Sequence, residues 1–129
     1  MALRDQDRAR FALGKVEPLA SRPAKERSKL KTQLLKLPAR LHTNGLGPTV
    51  AFYLSAGPGK PEVEICSWLE EWLHQVPVYR GTTLIRGVSG TGMTPAAAEA
   101  SYRLASGEAR ALAVWLKRFA EAFVEGDPG

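Results

Sequence analysis

Apolar residues recur along this chain at steps of three and four, and sustained alternation of apolar and polar positions, the mark of a half-buried strand, is missing. The pattern predicts helices. A first helix over about 3–19 turns Phe11, Leu13, Val16 and Leu19 inward, with Pro18 and Pro23 marking its end. A second, over about 24–43, places Leu30, Leu34, Leu37 and Leu41 on one stripe. Pro38 is discordant there, because an internal proline removes a donor and clashes with the preceding turn, so a kink or a short break is expected. Asn44-Gly45 then stops the helix, glycine supplying the left-handed cap.

Pro48 falls in the first turn of a third helix, about 46–55, where a missing amide costs nothing. Its content (Leu46, Val50, Ala51, Phe52, Tyr53, Leu54) is apolar nearly all round and predicts a central, buried helix. After the loop 56–61, Pro61 opens a fourth helix to about Gln75, with Ile65, Cys66, Leu69, Trp72 and Leu73 inside, and Pro77 ends it. The stretch 78–93 carries four glycines; a short helix over 83–88 and a loop over 89–92 are expected. Thr94-Pro95 starts the last helical region, running to about Val124, with Leu112, Trp115, Leu116, Phe119 and Phe123 as its core stripe and Ser106-Gly107 as the place where it would be interrupted. The tail 125–129 reads as frayed. The whole predicts an all-α fold, a compact single-domain bundle of about five or six helices over 1–129, with no internal repeat.

Composition adds less than the placement of charge. One cysteine, Cys66, excludes an intramolecular disulfide and a cysteine-based metal cluster. No signal-like segment and no run approaching the ~20 apolar residues of a membrane span is present, so a cytoplasmic protein without membrane contact is expected. The net charge is +5, yet residues 1–44 hold eleven Lys/Arg against four acids while the rest hold seven against nine. The surplus is entirely N-terminal and calls for an anionic partner.

On the wheel of the second helix, Arg22, Lys25, Lys29, Lys36 and Arg40 fall within a sector of about 60°, roughly a right angle or more from the leucines. The stripe spans about 27 Å, enough to meet several phosphates. Lysines outnumber arginines in it, which suits phosphate contact over base reading. The aromatics (Phe11, Phe52, Trp72, Trp115, Phe119) sit at core positions, leaving Tyr79 and Tyr102 as the candidates for base stacking.

Catalytic parts are missing from the pattern. His42 and His74 have no ligand-spaced companions, so no metal or cofactor is expected. Cys66 lies at core spacing. The run Gly87-Val88-Ser89-Gly90-Thr91-Gly92 follows no strand and lacks the Lys-Ser/Thr of a phosphate loop. Glu62/Glu64 and Glu70-Glu71 diverge on a helix instead of converging on a substrate. A non-enzymatic role follows, with a basic face that meets nucleic acid or an acidic protein partner.

Two blocks carry a family likeness. Residues 37–54, Leu-Pro-Ala-Arg-Leu-His-Thr-Asn-Gly-Leu-Gly-Pro-Thr-Val-Ala-Phe-Tyr-Leu, and Tyr102-Arg103-Leu104-Ala105-Ser106-Gly107-Glu108-Ala109 running into Trp115-Leu116-Lys117-Arg118-Phe119-Ala120, resemble the small-subunit family of the type III-B CRISPR RNA-targeting effector, the Cmr complex or RAMP module. Ser106 stands where such proteins often have threonine. The resemblance implies an antiviral-defence subunit without an active site. Its copies would stack in the inner filament, beside subunits that hold guide RNA and cut target RNA, and would line the groove of the guide–target duplex. By position it nominates Lys36 and Arg40, and secondarily Arg103, Lys117 and Arg118, for RNA or subunit contacts.

Overall fold

The computed structural model describes residues 2–125, with side chains from Arg4 onward. The first helix, α1 (Ala2–Val16), gives way to a 3-10 turn over Glu17–Ser21 that buries Leu19. This ends the α-helix three residues earlier than the apolar spacing predicts. Pro18 has no N–H for the Gly14 carbonyl, so the backbone tightens before it stops.

The second helix, α2 (Ala24–Asn44), runs unbroken through Pro38. Burial explains its persistence: Leu34 and Leu37 are wholly buried and Leu41 nearly so, offsetting the bond lost at the Leu34 carbonyl. Gly45, at φ +86°, stops the helix and returns its N–H to the Leu41 carbonyl. There follow α3 (Leu46–Leu54), α4 (Pro61–Gln75) and the short α5 (Leu84–Val88), whose first turn is capped by the Thr83 hydroxyl accepting from the Arg86 N–H. The last helix, α6 (Pro95–Phe123), opens on the Thr94 hydroxyl, which accepts from the Ala97 N–H, and continues without interruption past Ser106-Gly107. The six helices bear out the all-α reading, and no strand occurs among the described residues. Of the tail expected to fray, residues 126–129 lie outside the described residues.

The chain gathers into two compact units, residues up to Ala39 with those from Arg110 onward, and Arg40–Ala109. In the first, Ala12, Val16 and Leu19 are buried, as are Leu30, Leu34 and Leu37 of α2 and Leu112, Ala113, Leu116 and Ala120 of α6. Polar ties bind its distant segments. The Trp115 Nε1–H donates to Asp5 Oδ1 at 3.0 Å, and this bond is the main cause that holds the Asp5 carboxyl below its usual range. Arg27 donates to the Glu125 and Arg22 carbonyls. Its aromatic stripe is less buried than the spacing predicts: Trp115 and Phe119 are half-buried, and Phe123, on the last helical residue where packing runs out, is 51 % exposed.

In the second unit the core holds Leu46, Val50 and Tyr53 of α3, Ile65, Leu69, Trp72 and Leu73 of α4, and Tyr79 and Leu84. The expected all-round burial of α3 is overturned. Only Leu46, Thr49, Val50 and Tyr53 are buried, at steps of three and one, while Phe52 is 59 % and Leu54 37 % exposed. One face of α3 packs; the uniformly apolar sequence hid which. Tyr79, a candidate for base stacking, is likewise corrected. It is buried in full, its hydroxyl has no hydrogen-bond partner among the described residues, and its ring lies where a Cβ on Gly87 would come within 2.5 Å.

That contact separates two glycines. Gly87→Ala should destabilise the protein by about 1–3 kcal/mol through overpacking against the Tyr79 ring. Gly107→Ala, with nothing within 4 Å of the added methyl inside α6, should stabilise it by up to about 1 kcal/mol. Urea denaturation of the two variants checks both signs.

Candidate nucleic-acid interface

The rotation of α2 follows from its leucines. With Leu30, Leu34 and Leu37 buried, Lys25, Lys29 and Lys36 point away from the core, and all three are exposed. They occupy one face over about 16 Å of helix. None pairs with a carboxylate among the described residues. The fourth expected member, Arg22, precedes the helix in extended backbone, at φ −78° and ψ 158°, so the helical wheel does not govern it. It is half-buried and faces Glu26 at 3.8 Å.

Arg40, in the other unit, is held differently. Its guanidinium donates to the Tyr53 hydroxyl at 3.1 Å and lies 5.3 Å from the Phe52 ring centre and 5.4 Å from that of Tyr53. Its carbonyl accepts from the buried Thr49 hydroxyl at 3.1 Å. Burial pushes the Tyr53 phenol above its ordinary range, the more so as Cys66 and Glu62 act in the same direction, against the lowering effect of Arg40. The phenol therefore stays protonated and neutral beside the cation at neutral pH.

The secondary candidates divide. Arg103 pairs with Glu99 at 2.6 Å and Arg118 with Glu121 at 3.2 Å, both on exposed surface, where such pairs contribute about 0–1 kcal/mol. Lys117 is half-buried. Arg110, which the sequence reading passed over, is exposed on α6 and has no ion-pair partner among the described residues. The wheel of α6 could have found it, because it shares a helical face with Val114, four residues on, and Val114 is 50 % exposed.

Elsewhere the chemistry is quiet. Burial pushes the Cys66 thiol up to about 12, so it carries no thiolate at neutral pH. It borders a groove of about 270 Å³ with Leu54, Val63, Leu84 and Ile85, whose carboxylate, Glu70, accepts from the Leu84 N–H at 2.6 Å. His74 donates through Nε2 to the Thr82 carbonyl, just before α5. No group of three or more His, Cys, Asp or Glu is placed to hold a metal ion, and no helix is long and apolar enough to cross a membrane, among the described residues.

Comparison with known families gives one decisive match, to the family model described as CRISPR-associated protein (Cas_Cmr5), over residues 4–123. The chain belongs to the Cas_Cmr5 family. It is thereby a small subunit of the type III-B Cmr complex, with the other Cmr subunits as its partners. No curated protein matches it.

The two blocks that resemble this family meet in the structure. The Tyr102 hydroxyl accepts from the Gly47 N–H at 2.8 Å, satisfying one of the amides left without a helical partner in the first turn of α3. Tyr102 is thus half-buried and engaged, which removes it as a base-stacking platform. Farther along the second block, buried Glu108 accepts from the Trp72 Nε1–H at 3.1 Å. Both bonds belong to the packing of the unit that contains them.

The two should differ in cost. Tyr102→Phe removes a bond to a half-buried amide that water can reach, and should cost about 1 kcal/mol. Trp72→Phe takes a donor from a carboxylate only 6 % exposed, and should cost about 2–3 kcal/mol. Parallel chemical denaturation of the two variants measures the difference.

Proposed function

We propose that this chain is a non-catalytic subunit of the Cmr effector that stacks with further copies of itself and supports guide and target RNA binding in antiviral defence. The observation that carries the reading is the face of Lys25, Lys29 and Lys36: three exposed ammonium groups on one side of α2, without carboxylate partners among the described residues. Ammonium groups on flexible stems meet phosphates as point charges and do not read base edges, so binding is independent of sequence and sensitive to salt. Charge distribution favours the same unit. The unit holding these lysines has thirteen Lys/Arg against seven acids, whereas Arg40–Ala109 has five against six.

The other basic residues take graded parts. Arg22, Lys117 and Arg110 supplement the phosphate contacts from the same unit. Arg103 and Arg118, already paired with glutamates, serve subunit contacts more readily than RNA. Exposed Leu104 and Phe123 on α6, 54 % and 51 % accessible, support burial against neighbouring subunits.

Charge reversal of Lys25, Lys29 and Lys36 to Glu in the assembled complex should lower target-RNA retention. It should also flatten the dependence of log affinity on log salt by about 2, the share of three phosphates. Unchanged retention would refute the phosphate role. Crosslinks from these lysines to acidic protein segments alone would instead select the reading in which the basic face docks a protein.

A further inference from the structure

The geometry points to a stacking site for one unpaired nucleobase on the exposed ring of Phe52, flanked by the Arg40 guanidinium. This rests on the RNA-facing reading above and adds to it a kind of contact that the lysine face does not make.

Three observations carry it. The first is that Phe52 is the most exposed large apolar side chain described, at 59 %, on a helix whose opposite face is fully buried. An aromatic ring left in water at this level gains free energy from any flat partner that covers it. The second is the cation. The Arg40 guanidinium is 5.3 Å from the Phe52 ring centre, and its hydrogen bond to the buried Tyr53 hydroxyl keeps it there. A planar cation held against an aromatic ring adds cation–π attraction for a stacked base, and its charge favours the phosphate that comes with it. Arg40 supplies positive charge to this patch, while Glu62 acts on the neighbouring Tyr53 phenol.

The third observation is the size of the platform. Beside Phe52 the α3 surface carries Ala51 next to it in the chain, Pro48 one turn before and Ser55 one turn after, all exposed and all small. Leu54, the other exposed large apolar residue of α3, points about 160° away around the helix. A lone ring with a cation beside it matches the area of one base. It lacks the continuous apolar stripe that a partner helix would bury.

The test uses the full-length chain and a single-stranded oligouridine RNA at low salt, with affinity read by fluorescence anisotropy and contact read by short-wave ultraviolet crosslinking and mass spectrometry. A uridine adduct on Phe52 is expected. Phe52→Ala should weaken binding about fivefold or more, the factor for one lost stacked base. Phe52→Leu, which keeps apolar area but removes the ring, should weaken it to a similar extent, while Phe52→Trp should preserve it. Because Phe52 is exposed, helical content by circular dichroism should be unchanged in all three.

Equal RNA affinity of Phe52→Ala and the parent chain, with binding still lost on reversing Lys25, Lys29 and Lys36, would overturn the stacking site and leave the RNA-facing reading intact. Failure of the parent chain to bind RNA even at low salt would sink both. Loss of co-purifying Cmr subunits from Phe52→Ala, with RNA affinity unaltered, would make the ring a protein contact and also overturn the proposal.

Discussion

A helix has one rotational degree of freedom about its axis, and burying a side-chain stripe uses it up. In α2 the leucines at 30, 34, 37 and 41 impose that rotation. Every other side chain on the helix inherits its direction from them. The lysines at 25, 29 and 36 face water because the leucines do not, and no separate device is needed to hold them outward. Apolar burial of this kind contributes about 1.5–3 kcal/mol per leucine. That is enough to carry the helix through a proline at 38 that would interrupt an isolated segment.

Much of this was legible in the chain. Helices stop at glycine and start at proline as the residues demand, at Gly45 and at Pro61, and the four-leucine stripe admitted one orientation. Where the reading failed, the sequence carried no contrast to read. The third helix is apolar on all sides, so periodicity could not say that Phe52 lies outside and Tyr53 within. Tyr79 and Tyr102 looked available for bases because a hydroxyl-bearing ring is compatible with either side of a protein surface. One turned out to be sealed against Gly87, and the other is bonded to a backbone amide fifty-five residues away. Contacts of that range leave no trace in local spacing.

The family-like blocks illustrate how recognition and function separate. Tyr102, Gly47, Glu108 and Trp72 form bonds inside one unit, and all four residues are buried or half-buried. Arg40 lies within a block, yet its guanidinium is anchored on a neutral phenol and beside a ring open to water. Membership in a motif therefore says that a position matters to the molecule. Only its exposure and partners say whether it matters to the fold or to what the fold touches. Lys25 and Lys29 lie outside both blocks and were found from charge and geometry alone.

The uneven charge has an energetic consequence. A unit with a surplus of six positive charges repels itself, and that repulsion is greatest when no polyanion is near. Counterions relieve it in part, so the unaccompanied chain is less stable in dilute buffer than its packed leucines alone would make it. An anion that binds the folded state alone raises its melting temperature by mass action. Folding and assembly are then linked through one electrostatic term: the same charges that strain the solitary subunit reward it for being occupied.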